Sequence, residues 1–158
     1  MNQNLPWRRF AAGRRERGAA AVEFAVMLPC LVIALAPLIL CARFMWHYTV
    51  AHKAAQDAAR YMATVPAVEM RSRTLATQAS AVAIEIARRE LGDLAPGEEL
   101  TDPDVRCDSN VCGLRSGTVP RMINVTLVFY MHDPIFNTYL GPWGLPIEVN
   151  AAAPYVGK

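Results

Sequence analysis

Residues 14–42 read RRERGAAAVEFAVMLPCLVIALAPLILCA, and the reading of this run decides the architecture. Arginines crowd its start. From Ala19 to Ala42 the only charge is Glu23. About 20 mostly apolar residues at 1.5 Å rise are enough for a helix to cross a bilayer. The run is therefore read as a transmembrane helix over residues 19–42. Arg43 ends it, and Trp46 and Tyr48 follow at the depth where aromatic side chains favour the membrane interface. Pro29 and Pro37 lie inside it, and each removes a backbone hydrogen bond and should loosen the helix locally.

Charge supports the same reading. The chain has 158 residues and a net charge of +2, distributed unevenly. Five arginines against Glu16 give residues 1–18 a charge of +4, while 11 basic and 13 acidic residues leave the remainder at −2. A basic tail before an apolar run is the positive-inside pattern, which puts the N-terminus in the cytoplasm and the residues after Ala42 on the far side. Basic character confined to the tail gives no support for a nucleic-acid partner. A cleaved secretory signal has a shorter apolar core and no internal acid. An uncleaved anchor with an incidental glutamate is the other alternative.

Glu23 needs a reason to be there, because an ionised side chain in hydrocarbon costs about 3 kcal/mol. The string RGAAAVEF resembles the prepilin-peptidase site of type IV pilin-like proteins: a basic leader, a Gly, four apolar residues, then Glu and often Phe. With AARYMA at 58–63 and Pro29 six residues after the acid, residues 14–63 more closely resemble TadE-like minor pseudopilins of the tight-adherence (Tad/Flp) pilus. A weaker echo lies in the C-terminal INVTLVFYMHDP and LPIEVNAAA.

The resemblance implies removal of a leader, 1–18, by a prepilin peptidase cutting between Gly18 and Ala19. It implies that Glu23, with Phe24 beside it, is an assembly residue. The amine freed on Ala19 would neutralise the carboxylate in its own chain or a neighbour's, and a paired ion in low dielectric costs far less than a lone one. The partners implied are the peptidase, other minor pseudopilins, the major pilin, the inner-membrane pilus platform and membrane lipid. The role implied is to prime or cap a Tad pilus, supporting adhesion and biofilm formation. The rival reading is a single-pass signal-anchored periplasmic module that binds protein and never polymerises.

The rest of the chain reads as α+β, with a pilin-like arrangement of a long first helix, a second amphipathic helix and a small antiparallel sheet. From Thr49 to Met62, Ala51, Ala54, Ala55, Ala58, Ala59 and Met62 recur at helical spacing. The first helix should thus continue past the membrane to about Met62, with 43–66 its periplasmic continuation and 67–158 a periplasmic α+β domain. The alanine face can pack within the domain or form a seam between subunits. Lys53 and Asp57 are placed for an i,i+4 pair. Pro66 interrupts, and a second helix is expected over Thr74–Leu91 with Leu75, Ala79, Val82 and Ile86 on its apolar face and Gly92 as cap. The stretch 92–100 reads as a polar loop and 133–144 as a turn-rich segment. Strict alternation over Ile123–Met131 is the strongest strand signal, and a shorter strand is expected near Pro146–Ala152.

Cys107 and Cys112 bracket DSNV, a turn-like tetrapeptide, and in an oxidising compartment this spacing suits a local disulfide. Cys30 and Cys41 are eleven residues apart in the apolar run and read as small hydrophobes. His47, His52 and His132 are too scattered for a metal site or a triad and read as surface or interface histidines. No phosphate loop, nucleophile elbow or zinc-protease string occurs. The sequence points to no catalytic residue, no metal and no cofactor, and an enzyme is not expected.

Overall fold

The structure, a computed structural model, describes residues 16–92, 94, 102–114, 117–132 and 144–157. The arginines at 8, 9, 14 and 15, most of the polar loop and nearly all of the turn-rich segment lie outside the described residues. The architecture is α+β. Three helices, α1 (Glu16–Thr64), α2 (Ala67–Arg71) and α3 (Arg73–Gly92), precede four strands: β1 (Asp104–Cys107), β2 (Asn110–Val111), β3 (Met122–Met131) and β4 (Leu145–Pro154). The chain forms two compact units, the first ending at Cys41 and the second running from Ala42 to the C-terminus.

In the first unit, α1 is apolar on all sides. Val22, Phe24, Met27, Leu31, Ile33 and Leu38 are all exposed. A helix hydrophobic all round must find an apolar surrounding, which lipid supplies. Mean hydropathy reaches 2.7 over 18 residues, none of them buried. This is one N-terminal helix suited by length and composition to single-pass anchoring. Pro29 and Pro37 remain inside a continuous helix. Having no N–H, they leave the carbonyls of Ala25 and Ile33 without their usual donors.

The second unit begins where α1 changes character. Ala51, Ala54, Ala55, Ala58 and Met62 are completely buried within this unit. That decides between the two readings of the alanine face: it packs inside the domain, and a subunit seam cannot use it. Lys53 makes its expected pair with Asp57 at 3.5 Å and also reaches Glu90 of α3 at 3.4 Å. Both pairs are too exposed to contribute much stability.

The second helical segment differs from expectation in its buried face. Ala79 faces the core as expected, but beside it stand Ala76, Ala83, Ala87 and Leu91, while Ile86 is half-buried and Leu75 and Val82 are exposed. Both stripes have helical period, so periodicity alone could not separate them. Small residues allow the closer backbone approach, and close approach selected the alanines. Gly92 is the last residue of the helix rather than a cap beyond it. The short α2 before it was not anticipated; it starts directly after Pro66, which provides the break.

The sheet is antiparallel, in the order β2-β1-β3-β4. Alternation along β3 buries Ile123, Val125, Leu127, Phe129 and Met131. The register sets Val125 opposite Ala151, Leu127 opposite Val149 and Phe129 opposite Ile147, so both strands turn the same face to the core. β4 continues past the expected Ala152 to Pro154.

Candidate assembly and cleavage site

Gly18 and Ala19 lie in the first turn of α1 as described, and Glu23 and Phe24 follow one turn later. The first turn of a helix has N–H groups without intrahelical acceptors, so it opens at little cost. A peptidase, which needs extended backbone, meets the least resistance there. No packing constraint fixes the glycine, because a Cβ on Gly18 would meet nothing within 4 Å. A requirement for glycine here must come from something outside the chain.

Residues 19 and 23 stand in i,i+4 relation on one face of α1. In the uncut chain the nitrogen of residue 19 is a neutral amide. If the Gly18–Ala19 bond is hydrolysed, that nitrogen becomes a charged amine one turn from the Glu23 carboxylate. Val22 and Phe24 flank the acid and are about two-thirds exposed. Glu23 is thus set among lipid-compatible side chains.

The second structural device is the β1–β2 hairpin. Cys107 and Cys112 are joined by a disulfide across a Cα separation of 4.9 Å. Asp108 and Ser109, at the turn, have φ of 49° and 69°. Positive φ at both central residues is the geometry of a tight two-residue hairpin. Non-glycine residues adopt it at a cost, and here hydrogen bonds offset it. The Asp108 carboxylate accepts the N–H of Arg121 at 2.9 Å and of Met122 at 2.9 Å, and its own N–H donates to the Met122 carbonyl at 3.0 Å. Gly113 has φ of 84°, and a Cβ there would lie 2.7 Å from the Arg73 carbonyl oxygen. Arg73 in turn donates to the carbonyls of Gly113 and Leu114. The hairpin is thereby tied to the start of α3.

The histidines depart in part from the surface reading. His47 is buried, with Nδ1 2.8 Å from the Arg43 carbonyl. His52 is half-buried beside Tyr48, and its Nδ1 has no hydrogen-bond partner. Sequence spacing gave no sign of this, because both fall on a helix whose surroundings are set by distant segments. Among the described residues, no three His, Cys, Asp or Glu side chains gather where a metal could sit.

Among the described residues the chain thus combines one N-terminal helix long and apolar enough to span a membrane with a small disulfide-braced α+β domain. Residues 18–60 match the family model described as TadE-like protein, so this segment of the chain is TadE-like. The match covers α1 from Gly18 to Arg60 and bears out the resemblance read from the sequence. No curated protein and no solved structure gives a match.

Proposed function

We propose that this chain is a structural, non-catalytic minor subunit of a Tad pilus, cut between Gly18 and Ala19 by a prepilin peptidase and drawn into assembly through Glu23. The reading is carried by one observation: Gly18, Ala19 and Glu23 occupy the first turns of a helix whose N-terminal half is apolar and exposed, within the TadE-like match. The charge of the tail favours a cytoplasmic N-terminus and a periplasmic domain, the compartment that also allows the Cys107–Cys112 disulfide. Its partners are the major pilin, other minor pseudopilins and the inner-membrane platform. By priming or capping the filament it supports adhesion and biofilm formation.

The test is N-terminal sequencing of membrane-extracted protein from cells that contain the peptidase. The wild type should begin at Ala19, and Gly18→Arg should retain its leader. A wild-type chain that keeps residues 1–18 would support instead the signal-anchored module that never polymerises. Glu23→Ala should be cut normally yet co-purify poorly with partner subunits, because the new amine then lacks its counter-ion. Unchanged co-purification would remove Glu23 from assembly and leave the cleavage reading intact.

A further inference from the structure

β4 lies at one edge of the sheet. In an antiparallel ladder, successive residues direct their N–H and C=O groups alternately to the two sides. Three contacts fix which residues of β4 face outward. The Met122 carbonyl accepts from Asp108, on the β1 side, so odd-numbered residues of β3 face β4. Their partners, Ile147, Val149, Ala151 and Ala153, are bonded inward. Tyr155 continues this pattern by donating to the Arg121 carbonyl at 2.9 Å. The even-numbered residues Pro146, Glu148, Asn150, Ala152 and Pro154 therefore present their backbone outward. Both prolines lack an N–H, and the next outward donor, Val156, bonds the Ala63 carbonyl at 3.0 Å. The N–H groups of Glu148, Asn150 and Ala152 are left as a short row, and among the described residues no strand pairs with that side.

Beside this edge runs a groove of about 530 Å³, lined by Ala59, Arg60 and Ala63 of α1 and by Ala151, Ala153 and Pro154 of β4. Farther up the strand, Ile147 and Val149 fill the inner face. Here alanines on both walls leave the volume open. We propose that this edge and groove form a docking slot for an extended segment of a different polypeptide, which adds as a strand to β4 and sets alternate large apolar side chains among the alanines. The inference does not depend on the pilus reading.

The occupant follows from the chemistry of the slot. A row of backbone donors and acceptors at strand spacing is matched by another extended backbone, the strand-addition mode of recognition. A second copy of β4 is a poor candidate, because the side chains it would bring to the groove side, Ile147 and Val149, are already buried in its own core. Glu148 faces solvent and favours a lysine or threonine in the cross-strand position of the incoming segment. Pro146 and Pro154 bracket the slot, limit the added strand to a few residues, and prevent open-ended sheet growth.

The experiment uses the full chain in lipid nanodiscs and the acetylated peptide Thr-Val-Lys-Phe-Thr-Val-Thr, with amide exchange followed by NMR. Bound peptide should slow exchange at Glu148, Asn150 and Ala152 about tenfold or more. Ala152→Pro should abolish the effect without removing an inward ladder bond, and Ala152→Val should retain it. The peptide N-methylated at alternate residues, tested on the unaltered chain, should not bind, and this arm stands even if the proline variant misfolds. Slow exchange of the three amides in the free chain would show that the chain covers its own edge and would overturn the proposal. So would equal binding to the proline variant or to the N-methylated peptide. Protection that grows only with the protein's own concentration would assign the edge to a second copy and overturn the heteromeric segment.

Discussion

The two parts of α1 solve the same problem in opposite ways. Up to Cys41 the helix carries Val, Leu, Ile, Met and Phe on every side, none of them buried and nearly all exposed. From Ala51 its apolar residues are mainly alanines, and these are buried. The hydrophobic content of a helix thus says little about what covers it. The size distribution says more. Lipid is a liquid that adapts to bulky side chains, whereas a folded domain rewards small ones that bring backbones together.

The largest effect that tests this contrast is a charge placed in the first part. Leu31→Arg should weaken membrane retention by about 3 kcal/mol, roughly a hundredfold in partitioning. Alkaline extraction of membranes measures it. The thermal transition of the second unit should stay where it is. If that transition falls with Leu31→Arg, the two units do not stand on separate foundations and the comparison breaks.

The next test exchanges sizes. Ala58 is completely buried, and Ala58→Leu should destabilise the domain by about 1–3 kcal/mol through overpacking. Ala34→Leu makes the same chemical change on the exposed stretch and should leave domain stability within about 0.5 kcal/mol. Denaturant unfolding of both variants gives the difference directly. Equal losses would mean that Ala34 also packs against protein.

Much of this contrast was legible in the sequence. The apolar run, its basic border, the alanine spacing at 51–62 and the alternation over Ile123–Met131 each rest on a local period or composition that a window can detect. The disulfide was equally local, with its two cysteines separated by only four residues. What escaped was set by distant contacts. The choice of Ala76, Ala83 and Ala87 beside the expected Ala79, over Leu75 and Val82, depends on what α3 meets, which its own sequence does not contain. The burial of His47 has the same origin. For the proposed cleavage and assembly residues the reverse holds: Gly18 and Glu23 stand out in the sequence by pattern, while the fold gives neither of them a packing role.

The smallest expected effect concerns how the end of the chain is held to the end of α1. Tyr155 is half-buried, and its hydroxyl donates to the Val65 carbonyl at 2.6 Å. Tyr155→Phe should cost about 1 kcal/mol, a lowering of the melting temperature by about 4 °C, with core packing retained. Burial raises the Tyr155 pKa above the ordinary 10.0, outweighing the opposite pull of Arg71. A tyrosine whose folded pKa is raised holds its proton more tightly when folded. Its stabilising contribution is therefore complete below about pH 10 and is lost as pH rises through the folded value. The wild type should lose stability above pH 10 more steeply than Tyr155→Phe. Tyr48→Phe, on an exposed side chain, should leave the melting temperature unchanged. A Tyr155→Phe variant with the wild-type alkaline slope would show that this hydroxyl does not hold its proton any tighter in the fold, and that the joint rests on the Val156 and Tyr155 backbone bonds to Ala63 and Arg121 alone.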